Sequence, residues 1–344
     1  MDFGFNDEQQ EIKRTAREFL ASRFRAEKVR ELAEAGSYDD DLWAEICELG
    51  WPGIAIDEKH GGQGLGMVEL AMLCEEIGYA CAPVPFLSNA IGGLILEGAG
   101  SDEQRERRLG GIASGEGRAG VSATTDEPSL VLDAEGSAVL LLGDGDGDGA
   151  KLVETGAAEI ESLDLIDATR RYSHVKADGG EPLPGDVEAT IDRSLVAVAA
   201  ELTGIAQRAM EMAVDYAKER EQFGRAIGAY QAVSHQCARM LYDTEEARSL
   251  TLYAAWTADA EPGSLPLAAS MAKARASDAA WKVCAASLQV HGGIGFTWEH
   301  DLQFWLKRAK ATGELFGSAR LHRERVAALT GLGEQARERE PAPA

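Results

Sequence analysis

The chain has 344 residues, 45% hydrophobic and 27% charged, enough for two or three domains around a large core. A net charge of -24 repels a phosphate backbone, which argues against general nucleic-acid binding, although basic residues cluster at Lys218 to Arg225 and at Lys307 to Arg323. The longest apolar stretches, such as Leu130 to Leu142, fall short of a bilayer span, so no membrane segment is expected, and Met1 to Glu8 lacks the pattern of a signal peptide, so the expected location is cytoplasmic.

From Asn6 to about Gly115 the pattern is helical. Apolar residues recur at three-to-four spacing in Ile12 to Leu20 and in Val68 to Ile77. Asn6 followed by Gln9 forms the pattern of a capping box. The glycine-rich Gly61 to Gly66 has no Lys-Ser/Thr after it and no strand before it, so it reads as a turn and not a phosphate loop.

From Arg118 to about Pro184 short alternating runs appear, including Gly120 to Ala123, Leu130 to Leu132 and Ala138 to Leu142, separated by Gly, Asp and Pro. They predict a small β-domain of four to six short strands. Asp144 to Gly149 imitates the start of a calcium loop, but position twelve would be Thr155, which cannot close the metal shell with a bidentate carboxylate. An exposed hairpin connection is the expected reading, and no metal site is expected.

From about Ile191 four long amphipathic segments follow: Leu195 to Glu221, Tyr230 to Ala258, Leu265 to Val290, and Trp298 to Leu329 with a break near Gly313. They predict an antiparallel four-helix bundle. Apolar residues on more than one face point to packing against other subunits. The expected division is 1–115 helical, 116–188 a reduced β-domain, 189–332 the helical bundle and 333–344 a disordered tail. The five cysteines show no zinc or redox spacing and read as reduced thiols.

Two motifs carry most of the functional signal. Arg220 to His235 (REQFGRAIGAYQAVSH) and Gln289 to Glu299 (QVHGGIGFTWE) resemble two signatures of the acyl-CoA dehydrogenase family, supported by Leu49 to Asp57 and by Ser194 to Met210. The resemblance covers about Phe5 to Leu332 and is weakest in the β-domain. It implies a mainly α fold: N-terminal helices, a middle β-domain and a C-terminal four-helix bundle. It also implies FAD lying across a subunit interface. The residues resembling those that reach the neighbour's flavin are Arg220, Gln222, Phe223, Ile227, Gln231, Gln289, Gly292 and Gly293. An arginine can fork onto a pyrophosphate oxygen, and paired glycines admit a ligand close to the backbone. Taken singly, Arg220 could instead be a solvated helix-end charge, Phe223 a core residue and the glycines a plain turn. His235 and His291 lack a carboxylate partner at fixed spacing and read as packing or hydrogen-bonding residues.

The resemblance breaks at the chemistry. In the family a glutamate takes the α-proton of an acyl-CoA while the flavin takes a hydride from the β-carbon. Aligning Lys307 to Lys310 and Gly317-Ser318 places Phe316 at the usual glutamate position, so no catalytic residue is expected here. The other position known for the base falls near Asp192, which is not a glutamate, and Glu314 points away from the side of Phe316 if the segment is helical. Val121 to Ser129 stands in for a flavin-contacting Thr-Glu-Pro-Gly segment, and no tryptophan strand follows, so the ring pocket is expected to lack a wall. The pattern resembles the smaller subunit of heteromeric α2β2 acyl-CoA dehydrogenases, such as those actinobacteria use on steroid side chains. That likeness implies a full-length partner that supplies the base and binds most of the acyl-CoA. The alternatives are a self-sufficient homomeric flavoenzyme with a displaced base and a non-enzymatic scaffold.

Overall fold

The computed structural model describes residues 4–123, 128–143 and 149–332. Residues 124–127, 144–148 and 333–344, on which parts of the flavin-segment, calcium-loop and tail readings fall, lie outside that description.

The first helix starts where the sequence marks it. Asn6 Oδ1 accepts from the Gln9 amide at 2.8 Å and the Asn6 amide donates to Gln9 Oε1 at 3.0 Å, the reciprocal bonds of a capping box. Six helices follow in order: α1 (Asp7–Arg23), α2 (Ala26–Ala35), α3 (Asp40–Glu48), α4 (Met67–Ala80), α5 (Phe86–Ala99) and α6 (Asp102–Ser114). Nearly every residue of α5 and most of α4 is buried, as their near-continuous apolar sequences demand of helices with no solvent face.

The middle sheet has seven strands: β1 (Ala119–Ser122), β2 (Ser129–Leu132), β3 (Val139–Gly143), β4 (Ala150–Glu154), β5 (Glu159–Ser162), β6 (Tyr172–Lys176) and β7 (Glu181–Pro182). Their spatial order is β5-β6-β2-β1-β3-β4-β7, with β1 and β3 parallel and the other neighbours antiparallel. This exceeds the four to six strands expected. The two edges explain the difference, because β5 buries no side chain and β7 is two residues long, so neither leaves an apolar alternation in the sequence.

Five more helices follow among the described residues: α7 (Val187–Glu219), α8 (Gln231–Ala260), α9 (Leu265–His291), α10 (Leu302–Glu314) and α11 (Ala319–Leu329). The break expected near Gly313 falls between α10 and α11. Helix α7 starts at Val187, ahead of the expected Leu195, because Asp186 caps it by accepting from the Ala189 amide at 3.0 Å. Helices α4 and α7 cross at backbone contact. A Cβ on Gly78 would lie 2.1 Å from the Glu201 carbonyl oxygen, and one on Gly204 would lie 1.9 Å from that of Glu75.

A buried ion network ties the three parts together at that crossing. Glu201 on α7 pairs in two-pronged fashion with Arg170, which precedes β6, and Arg170 also donates to the Val84 carbonyl at 3.2 Å. Arg308 on α10 donates to Thr169 Oγ1 at 2.9 Å, to the Thr169 carbonyl at 2.7 Å and to the Ala82 carbonyl at 2.9 Å. Its guanidinium lies 3.9 Å from Glu201. All three side chains are buried, so each charge depends on the others.

The bundle is not covered on every side. Helix α8 has no fully buried residue ahead of Met240; Val233 and Cys237 rest partly on the core, while Gln231, Ala232, His235, Ala238 and Arg239 are exposed. Among the described residues no helix is long and apolar enough to cross a membrane, no disulfide forms, and no cluster of His, Cys, Asp or Glu could hold a metal ion.

Candidate functional site

Helix α7 ends at Glu219, and the chain turns back through a two-stranded hairpin, β8 (Glu221–Gln222) and β9 (Arg225–Ala226), before α8 begins. Phe223 and Gly224 form the hairpin tip with φ of 54° and 82°, the paired left-handed conformations of a tight type I′ turn. Glycine takes that conformation readily, whereas a bulky aromatic residue rarely does. Phe223 is also 94% exposed. The core role open to it in the sequence is thereby excluded: this residue combines backbone strain with an apolar ring in water. The hairpin is braced from within, since the Tyr230 hydroxyl donates to the Gln222 carbonyl at 3.1 Å and the Arg225 guanidinium lies 4.0 Å from the Tyr230 ring centre.

The second motif closes α9. Gly292, with φ 62° and ψ -139°, opens a short 3-10 turn through Phe296. A side chain would be strained at Gly292, and built Cβ atoms at Gly292 and Gly293 meet nothing within 4 Å, so bare backbone faces open space. Seventy residues apart in sequence, the two motifs meet. Arg220, Gln222, Ile227, Gly292 and Gly293 line one surface cavity of about 550 Å³, together with Tyr216, Val290, His291 and Ile294.

Three of the eight singled-out residues lie outside that lining. Phe223 projects from the hairpin tip, Gln231 starts α8, and Gln289 is exposed on the last turn of α9. Among the described residues Arg220 has no carboxylate within ion-pair reach, so its charge is available to a ligand. At the end of the glycine turn and just beyond it, Phe296 and Trp298 are 70% and 73% exposed, apolar surface that water alone does not favour.

Sequence reasoning missed Tyr216 as a member of this site and left His291 as packing. His291 is buried; its Nδ1 lies 2.8 Å from the Ser287 carbonyl, so that nitrogen carries the proton. The ring packs at a tilt, its centre 4.7 Å from that of Tyr216 and 4.3 Å from that of His300. Burial pushes both imidazoles below their ordinary pKa, and His291 adds repulsion against charge on His300. This packing stiffens the approach to Gly292. His235 is exposed on α8 and does not join the lining of the cavity.

Phe316 sits at the break between α10 and α11 with φ 55°, followed by Gly317 at φ 105°. The turn is held from beneath. Buried Lys273 donates to the Gly313 carbonyl at 2.8 Å and the Gly317 carbonyl at 3.0 Å, and His322 Nε2 donates to the Phe316 carbonyl at 3.0 Å. Desolvation lowers the Lys273 pKa to about 8. The half-exposed Glu314 is paired to Lys310 at 2.7 Å. Asp192 is buried and forked onto Arg325 of α11, one contact being 3.0 Å, which commits it to fastening the last helix.

Burial depresses the His322 pKa to about 4, below its ordinary 6.5, with Lys273 adding repulsion. The folded state therefore resists a proton that the unfolded chain accepts. The stability this contributes is complete above about pH 6.5 and is lost as pH falls through about 4. His322→Gln should flatten the fall in urea midpoint between about pH 7 and pH 5 relative to the parent chain. An unchanged slope would remove His322 from that role.

A second cavity, about 690 Å³ and largely apolar, lies between the sheet and helices α9 and α10. Ala123, Leu130 and Tyr172 line it from the sheet side, and Trp281, Leu306, Ala311, Glu314 and Leu315 from the helices. Phe316 is not among the lining residues.

The order of helices, small sheet and long antiparallel helices defines the acyl-CoA dehydrogenase fold. A variant of the Tcur3481-Tcur3483 steroid ACAD superposes with a TM-score of 0.88 at 26% identity, covering 96% of this chain and 99% of that one. The ChsE4-ChsE5 complex from Mycobacterium tuberculosis gives 0.85 at 23%, covering 96% and 99%. Family models for the acyl-CoA dehydrogenase N-terminal and C-terminal domains match residues 6–116 and 186–330, and the chain belongs to the acyl-CoA dehydrogenase family. Acyl-CoA dehydrogenase IpdE2 of Mycolicibacterium smegmatis is 30% identical over 325 residues, covering 94% of this chain and 99% of that relative.

Proposed function

We propose that this chain is the non-catalytic subunit of a heteromeric FAD-dependent acyl-CoA dehydrogenase, holding the far end of a flavin whose ring and catalytic base belong to a full-length partner. The observation that carries the reading is the cleft in which Arg220, Gln222, Ile227, Gly292 and Gly293 converge beside the exposed, strained Phe223. A monomeric chain gains nothing from a phenylalanine held in water at a strained turn, whereas a subunit that inserts it into a neighbour recovers that cost. The uncovered start of α8 and the exposed Phe296 and Trp298 supply area for the same interface.

The cleft suits the adenosine diphosphate end of FAD. Arg220 can fork onto a pyrophosphate oxygen, the bare backbone at Gly292 and Gly293 lets the ligand approach, and Gln222 offers an amide to ribose or phosphate. Gln231 and Gln289, both exposed, extend the same surface. When bound, FAD accepts the hydride removed from the β-carbon of an acyl-CoA. On this reading the α-proton goes to a group of the partner, since Phe316 has no acceptor and Asp192 is committed to Arg325. The solved ChsE4-ChsE5 complex and the paired Tcur3481-Tcur3483 enzyme support a two-chain assembly, the latter also a steroid-derived acyl-CoA as substrate.

One observation favours a second reading, a self-sufficient enzyme with a displaced base: Glu314 lines the 690 Å³ cavity. Its partial exposure and its pairing with Lys310 weigh against it. Two substitutions in the co-expressed complex separate the readings. Phe316→Ala and Glu314→Gln should each leave turnover within about twofold of the parent complex, a change of about 0.4 kcal/mol or less. A collapse of turnover in Glu314→Gln would establish the displaced base instead.

A further inference from the structure

Away from both cavities, arginines from three elements meet at a third, about 420 Å³ in volume, bounded by α1, the start of α2, the end of α4, α7 and α10. It shares no lining residue with the cleft around Arg220. Arg17 is already neutralised, forked onto the buried Glu76 with one contact at 3.0 Å, and its guanidinium lies 3.4 Å from the Tyr79 ring centre. Arg208 approaches the same ring, 5.5 Å from its centre and 5.9 Å from that of Trp305. Two guanidinium groups thus share one aromatic ring, and only one has a counter-charge. Among the described residues neither Arg208 nor Arg25 has a carboxylate within ion-pair reach.

In a chain with 58 acidic and 34 basic residues, two arginines without a carboxylate partner make this cavity a local site of positive charge. Leaving Arg208 partly desolvated without an anion costs free energy that a bound anion would recover. Glu27 is the unpaired acid at the rim, but it is exposed, so solvent screens it. The first turn of α2 has no side-chain cap and adds partial positive charge at the same edge. Leu20, Phe24 and Trp305 make the rest of the wall apolar. The volume falls within the ordinary range for small-molecule sites and exceeds what a bare inorganic anion needs.

We propose that this cavity binds a small organic phosphate, a phosphomonoester whose dianion sits between Arg208 and Arg25 and whose apolar or aromatic body packs against Phe24 and Trp305. A dianion satisfies two guanidinium groups where a carboxylate would leave one in excess. The apolar wall separates this class from inorganic phosphate.

The test is calorimetric titration of the co-purified, flavin-loaded complex with phenyl phosphate, which has no adenosine with which to enter the flavin cleft. Saturable binding is expected, one molecule per copy of this chain, with weaker binding of inorganic phosphate and none of phenol. Arg208→Gln should weaken it at least about tenfold, with flavin content and melting temperature unchanged. Arg25→Gln, at an exposed position that no fold contact depends on, gives the same test if the first variant is unstable. No saturable binding, or equal affinity in both variants, overturns the proposal. Equal affinity for inorganic phosphate overturns the organic class, and a carboxylate of the partner chain found on Arg208 in the assembled complex overturns the site.

Discussion

Arg220→Ala is expected to strip flavin from the assembled enzyme while leaving both chains folded. Arg220 stands at the end of α7 with its backbone fixed on both sides: its amide donates to the Tyr216 carbonyl and its carbonyl accepts from the Ile227 amide, each at 2.8 Å. Its side chain is exposed, so truncation removes no core packing. What disappears is a charge-assisted hydrogen bond to a phosphate, worth about 1.5–3 kcal/mol and hence roughly a ten- to 150-fold weaker flavin affinity. Arg220→Lys should recover only part of it, because an ammonium is a point charge where a guanidinium is a fork. The check is the flavin-to-protein absorbance ratio of the co-expressed complex after gel filtration, with a dissociation constant from flavin titration of the stripped enzyme. Full retention at unchanged affinity in Arg220→Ala would remove this residue from the flavin site.

Glu201→Ala should produce the largest loss of stability, about 3–5 kcal/mol. The carboxylate is fully buried between Arg170 and Arg308. Without it, Arg170 keeps the Val84 carbonyl but loses its carboxylate, and Arg308 is left with Asp167 at 4.0 Å as its nearest buried carboxylate. The damage reaches across the molecule, because Arg170 lies in the loop that leads into β6, Glu201 on α7 and Arg308 on α10. Urea denaturation of the purified complex reads the effect as a shift in midpoint at unchanged slope. A loss below about 1 kcal/mol would mean that Thr169 and the Ala82 and Val84 carbonyls satisfy both arginines on their own.

The residues of the flavin-like cleft were legible because each motif is local. Arg220 to Arg225 is a helix end followed by a hairpin, and Gln289 to Gly293 is a helix end followed by a glycine turn, so their order in sequence is nearly their order in space. The break at Phe316 was legible for the same reason, through the glycines around it. The supports were harder to read. Lys273 stands on the same stripe of α9 as Ala269, Ala272, Ala276 and Ala280, all buried, and a lysine on such a stripe was a signal that it reaches a buried acceptor. Its acceptors, the carbonyls of Gly313 and Gly317, are backbone atoms some forty residues away and leave no residue-type mark. The Arg170–Glu201–Arg308 network and the Asp192–Arg325 fork join residues 31 to 133 positions apart, and no periodicity links them. The sheet edges escaped because backbone pairing alone holds them, and the larger cavity depends on how the sheet lies against α10.

The central claim, that this chain contributes half of a flavin site, is tested most directly by flavin absorbance per chain, measured on the protein purified alone and again after co-expression with a full-length acyl-CoA dehydrogenase. The account predicts a colourless lone chain and one FAD for each pair of unlike chains in the complex. One FAD per chain without a partner would contradict it and would move the base to a residue of this chain, with Glu314 the first to examine.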